Sequence, residues 1–84
     1  MKIIKISALW CPSCLIMNDI IEDVITSKNI ELVKYDFDLD QEIVKDYNVG
    51  NILPVIIKVD DNNNEIERLI GEHSKQELIE FIER

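Results

Sequence analysis

Cys11 and Cys14 are the chain's two cysteines, and they sit in the stretch Trp10-Cys11-Pro12-Ser13-Cys14. Two thiols at that spacing can bind a soft metal, cross-link a fold or exchange electrons. A Cys11–Cys14 bridge closes a very short loop and removes little entropy from the unfolded chain, so cross-linking is a poor use for it. Small disulfide-built domains carry more cysteines, spread along the chain. Redox exchange fits better. Residues at this separation share one side of a helical turn, and their Cα atoms can come within disulfide range. At a helix start, free N–H groups and the positive dipole end favour a thiolate, which is the attacking species. An ordinary cysteine near pKa 8.5 is only about 3% thiolate at neutral pH, whereas such motifs bring the value to about 7 or lower. The roles follow from position. Cys11, at the tip, is expected to be the more exposed and more acidic thiol and to attack a substrate disulfide. Cys14, in the first turn, then resolves the mixed disulfide. Pro12 and Ser13 lie inside the small ring and tune its reduction potential.

The thiols can work this way only on a helix that begins near Pro12. Pro12 suits the first helical position, where its missing N–H costs nothing. From there to Ser27, Cys14, Met17, Ile20, Ile21, Val24 and Ile25 recur at three- and four-residue steps, with Asn18, Asp19, Glu22 and Asp23 on the other side. Ile3 to Ser7 reads as a buried strand before it. Asn29 to Leu39 reads as a strand after it, with Val33, Tyr35, Phe37 and Leu39 alternating against Lys34, Asp36 and Asp38. Strand, helix, strand implies two parallel neighbours. Asp40 is placed to cap a short helix over Gln41 to Tyr47, which Gly50 and Asn51 break. Val55 to Val59 and Glu65 to Ile70 are a third and fourth strand around the turn-rich tip Asp60-Asp61-Asn62-Asn63-Asn64. Ser74 with Glu77 makes a capping box for a last helix with Leu78, Ile79, Phe81 and Ile82 as its apolar stripe. The order βαβαββα predicts one α/β domain over residues 1–84, with a four-stranded mixed sheet and helices on both faces.

The bulk numbers narrow the function classes. With 84 residues, 46% hydrophobic and 31% charged, the chain is long enough for one modest core. Its 17 acidic against 9 basic residues give a net charge of −8, and no basic face for nucleic acid is visible. No run approaches a membrane span. The opening Met1-Lys2-Ile3-Ile4-Lys5-Ile6 has too short an apolar run for a signal peptide, so the expected location is the cytoplasm.

Here the residues resemble a family. "WCPSC" between an apolar strand and a long helix is similar to the thioredoxin superfamily, whose members carry W-C-x-x-C at this place. Leu53-Pro54-Val55 opens the third strand where that superfamily has a cis-proline facing the cysteines. "ERLIGEHSKQELIEFI", residues 67 to 82, looks like the end of a thioredoxin: strand, glycine, helix. The chain begins at the strand before the cysteines, so the resemblance is to a minimal thioredoxin-like core, as in glutaredoxins. Glutaredoxins carry threonine-valine-proline and a glycine pair with an aspartate for glutathione. Here those places read Ile52-Leu53-Pro54 and Gly71-Glu72-His73, and Trp10 and "GEHSKQEL" favour a thioredoxin-like partner. Leu15 stands where many thioredoxins have a basic residue.

The resemblance implies a protein-disulfide oxidoreductase, a monomer whose only redox group is its own Cys11–Cys14 disulfide. It implies disulfide-containing protein substrates and an upstream donor, a thioredoxin-reductase-like enzyme or a dedicated one. Trp10 would be a substrate-contact aromatic, and Leu53 would offer its backbone beside Pro54 to an extended substrate segment. The rivals are a glutathione-dependent glutaredoxin and a Cu(I) carrier, since soft thiolates suit Cu(I). Such carriers resemble βαββαβ and have a methionine where this chain has Leu9. Otherwise no metal site is expected. His73 as a third ligand leaves a zinc site one short. Met17 is core, and neither acidic run follows a calcium-loop pattern.

Lys5 is a charge in a strand that otherwise reads as buried, and a lone buried ammonium needs a partner or a lowered pKa. Thioredoxins carry a buried aspartate six residues before the first cysteine, with a lysine on the next strand. Aligning "YDFDLD" with that strand implies the same pair with its charges exchanged, Lys5 and Asp36, tuning the Cys11 thiolate.

Overall fold

Isoleucines at 3, 4 and 6 make β1 (Lys2–Ser7) a strand buried on both faces, and it takes the interior of the sheet. The computed structural model describes residues 1–84. The chain continues through α1 (Pro12–Ser27), β2 (Glu31–Asp36), α2 (Gln41–Asp46), β3 (Val55–Val59), β4 (Glu65–Ile70) and α3 (Lys75–Glu83). The four strands lie in the order β2-β1-β3-β4. β1 pairs parallel with β2 and antiparallel with β3, which pairs antiparallel with β4. The long crossover through α1 is what a parallel neighbour requires.

Each face has its own core. Ile3 and Ile56 pack with Met17, Ile21, Val24 and Ile25 of α1 and with Leu78, Phe81 and Ile82 of α3. Ile4, Ile6, Val55, Ile57 and Val59 point the other way, onto Val44 of α2 and onto the cysteines. A fully buried apolar side chain of this size contributes about 1.5–3 kcal/mol relative to exposure. α3 starts as its sequence dictates. Ser74 Oγ accepts the Glu77 N–H at 3.1 Å and the Glu77 carboxylate accepts the Ser74 N–H at 2.9 Å.

The α1–α3 face also holds a lysine. Lys58 on β3 is 2% exposed. Its Nζ donates to the carbonyls of Phe81 at 2.8 Å and Arg84 at 2.9 Å, and lies 5.2 Å from the Phe81 ring centre. Last-turn carbonyls have no donor inside the helix, so this lysine ties β3 to the end of α3.

Two expected boundaries move. β2 runs from Glu31 to Asp36, not from Asn29 to Leu39. Asn29 is left-handed, with φ 56°, and closes the α1 end. After a last ladder bond from Phe37 N–H to the Ser7 carbonyl, Asp36 Oδ1 accepts the N–H groups of Asp38 and Leu39 and turns the chain. Leu39 therefore ends 83% exposed rather than in the core. α2 stops at Asp46, with Tyr47 beyond its last turn. Asp40 is its N-cap residue, but the Asp40 carboxylate accepts from Asp36 N–H and makes no cap hydrogen bond.

Candidate active site

The site is assembled where three segments meet: the end of β1, the start of α1 and the loop that enters β3. After β1 the chain turns tightly, with the Cys11 N–H donating to the Ala8 carbonyl at 3.2 Å. Pro12 then starts α1, which leaves Cys11 as the N-cap residue in extended conformation, φ −97° and ψ 111°. A cap residue normally offers a side-chain oxygen to a first-turn N–H. Here the sulfur does so, and Cys14 N–H donates to Cys11 Sγ at 3.2 Å. A donor thus sits where a Cys11 thiolate would carry its charge.

The β3 entry loop closes the site from the other side. The Leu53–Pro54 peptide bond is cis, and both residues are buried. The Leu53 carbonyl accepts from the Cys11 thiol at 3.7 Å. The Pro54 carbonyl accepts the Gly71 N–H at 2.8 Å, which joins this loop to the end of β4. Gly71 has φ +85°, and a Cβ there would lie 3.3 Å from Ile52 Cγ2, so glycine answers both backbone conformation and space.

Cys11 is the more exposed of the two thiols, as its position implies, but it is far from a bare tip, being only 6% exposed. The carbonyl of Leu53 covers the sulfur that a bare helix end would leave in water. Cys14 is fully buried. Burial first, then its hydrogen bond with Cys11, pushes the Cys14 thiol up to about 11. Cys14 therefore holds its proton while Cys11 stands at the surface side of the pair.

Trp10 is 59% exposed beside Cys11. It is held rather than free, because its Nε1 donates to Asp38 Oδ2 at 2.7 Å and Phe37 meets it edge to face at 6.0 Å. Pro12 is exposed and Ser13 half-buried. Leu9 and Ile52, next to Trp10 and Leu53, expose further apolar surface. Leu15 does so too, on the first turn of α1.

The Lys5–Asp36 pair does not form. Parallel register sets Lys5 opposite Lys34 and puts Asp36 opposite Ser7, and the Asp36 carboxylate is spent on the turn after β2. Lys5 is buried, and its Nζ donates to Asn18 Oδ1 at 2.7 Å. Asn18 is thus half-buried on α1, not on the outward side where its polarity placed it. Asn18 and Asp38 are the two residues that the sequence reading passed over. Asn18 had one usable signal, its place a helical turn after Cys14. Asp38 had none, since its role depends on where β2 ends.

The family model for thioredoxin matches residues 1–84. No curated protein matches the chain in sequence. Among solved structures, thioredoxin 1 from the thermophilic eubacterium Thermosipho africanus TCF52B superposes with a TM-score of 0.88 at 25% identity, covering 99% of this chain and 91% of that one. A thioredoxin pre-protein of Schistosoma mansoni gives 0.86 at 21% identity, covering 96% and 74%. A mutant thioredoxin from Halobacterium salinarum NRC-1 gives 0.87 at 22%, covering 96% and 70%.

Proposed function

We infer from one premise, that the chain belongs to the thioredoxin family, and from the geometry at Cys11, that it is a small dithiol protein that reduces disulfides in other proteins. The observation that carries this reading is the Cys11 sulfur at the cap of α1, with the Cys14 N–H 3.2 Å away and the Leu53 carbonyl beside it. A Cys11 thiolate attacks one sulfur of a substrate disulfide, and the first substrate thiolate leaves and takes up a proton. Cys14 loses its proton and attacks Cys11 Sγ. The Cys11–Cys14 bond forms, the bond from Cys11 to the substrate breaks, and the second substrate thiol is released. Two electrons have passed to the substrate, and an upstream reductase or dedicated donor returns them. Trp10, Pro12, Ser13, Leu53 and Pro54 form the rim over which a substrate segment would lie, and the apolar exposure of Trp10 and Ile52 suits such contact.

The reading is tested by insulin-disulfide reduction with dithiothreitol-primed protein, where accelerated precipitation of the insulin B chain is expected. No acceleration overturns it. Offering the oxidised protein a thioredoxin reductase and, separately, glutathione with its reductase while following NADPH identifies the donor; turnover with glutathione alone would favour the glutaredoxin reading. The Cu(I)-carrier reading loses its topological support, because the element order is βαβαββα and ends on α3.

A further inference from the structure

Lys5 lies in the middle of β1 on the face packed against α1, between Lys34 of β2 and Ile56 of β3. It is 5% exposed. No ion pair in the molecule includes it. Its one hydrogen-bond partner is Asn18, a neutral amide. A buried cation with so little compensation is costly to keep. Its position gives a reason to keep it. Asn18 follows Cys14 by four residues on α1, so the two side chains are neighbours on one helical face. Holding the amine at Asn18 therefore keeps it on the stretch of α1 that carries the resolving thiol.

We propose that Lys5 is a positioning residue for the second half of thiol exchange: its cation, fixed by Asn18, stabilises Cys14 as a thiolate while Cys14 resolves the mixed disulfide on Cys11. This rests on the exchange reading above. The attack that needs help is the second one. Cys14 is shut off from water and holds its proton tightly, yet it must give that proton up before its electron pair can form the bond to Cys11 Sγ. The proton passes to solvent. The pair in the breaking Cys11–substrate bond leaves with the substrate sulfur, which is then protonated. The mixed disulfide is itself the two-electron acceptor, so nothing else is consumed.

The charged groups facing Lys5 are few. Lys34 on β2 and Glu22 on α1 pair with each other, so their fields at Lys5 largely cancel. Cys14 on α1 is the third, and Ile56 on β3 is apolar. Burial first, and then Lys34, lowers the Lys5 amine from the ordinary lysine range, while Glu22 and Cys14 act the other way. Reciprocally, Lys5 works to lower the Cys14 thiol against the burial that raises it. A point charge in this water-poor layer acts more strongly than it would at the surface.

The test reads both thiols in one experiment with Ellman's disulfide, 5,5′-dithiobis(2-nitrobenzoate). Attack by Cys11 releases a first thionitrobenzoate, and resolution by Cys14 releases the second. In Lys5→Met the first release should stay within about twofold of wild type. The second should slow about tenfold at neutral pH, with its pH midpoint moved up by about one pH unit, the same factor expressed on the pH axis. Asn18→Asp should slow the second release in the same direction, because a carboxylate against Lys5 cancels its charge; this near-isosteric change at a half-buried helix position decides the matter if Lys5→Met does not fold. An unchanged second release and pH midpoint in the folded variants overturns the role of Lys5, as does an equal slowing of both releases. Absence of any second release in the wild type overturns the exchange reading itself, and this role with it.

Discussion

Two lysines are buried under the α1–α3 face of the sheet, and they are satisfied in opposite ways. Lys58 spends its donors on backbone carbonyls at the last turn of α3, where the helix dipole is negative, and it sits against the ring of Phe81. Lys5 has one neutral amide, and the two charges that face it, Lys34 and Glu22, pair with each other rather than with it. The first lysine behaves as a fastener. Its charge is absorbed by groups that need a donor anyway. The second, on the role proposed for it, keeps its charge available to Cys14. One sheet face therefore has a structural end and a chemical end, and the distinction lies in what the cation is given to bind rather than in how deeply it is buried.

The largest expected break between the two ends is in turnover. Cys11→Ser should lose insulin-disulfide reduction to background, and Cys14→Ser should trap mixed disulfides on Cys11, visible as adduct mass. Lys58→Met, assayed where it is folded, should keep the activity. Adducts found chiefly on Cys14 in the converse variant, Cys11→Ser, would reverse the thiol assignment.

Stability should break the other way. Lys58→Met removes two hydrogen bonds from a charged donor and leaves the Phe81 and Arg84 carbonyls short of a partner, a loss of about 2–3 kcal/mol. At about 4–8 °C per kcal/mol for a domain of this size, thermal unfolding should show it plainly. Lys5→Met should fall within about 1 kcal/mol of wild type, because methionine keeps the apolar stem and discards a charge that is costly to bury. Equal losses at both sites would erase the distinction between them.

What could be read beforehand divides along a physical line. α1, β1 and α3 were legible because each is specified by its own residues. Pro12 and the stripe from Cys14 to Ile25 allow one helix, and Ser74 with Glu77 allow one start for α3. The end of β2 was not. Asp36 and Asp38 alternate like strand residues and Asp40 reads as a helix cap, yet the Asp36 and Asp40 carboxylates take backbone N–H groups and fold the chain back, and sequence does not say which hydrogen bonds win. The partner of Lys5 was not legible either. It depends on the register between parallel strands joined by a long helix, which placed Asp36 beside Ser7 instead. At the site, the two thiols and Pro54 could be named from sequence, but the shielding of Cys11 by the Leu53 carbonyl is a long-range contact.

The smallest effect separates the two charges at the chemical end. The Lys5 amine is lowered by burial, so over the pH range from its folded value up to the ordinary lysine range the unfolded chain binds more proton than the native one. Stability contributed there rises with pH. The Cys14 thiol is raised, again by burial first, to about 11. Between the ordinary thiol range and about 11 the native state holds a proton that the unfolded chain has lost, so this contribution is present below that window and is lost as pH climbs through it. The two slopes oppose each other in the wild type. Lys5→Met should therefore lose stability more steeply than wild type in alkali, and Cys14→Ser less steeply, each difference bounded by about 1.4 kcal/mol per pH unit for one proton. Urea unfolding followed across the alkaline range measures the slopes directly. Every other ionisable group is common to the variants and cancels in the comparison. Slopes that diverge with opposite sign would show that Lys5 and Cys14 titrate as a buried pair with opposing demands. Parallel slopes would mean that neither charge is held at the fold's expense.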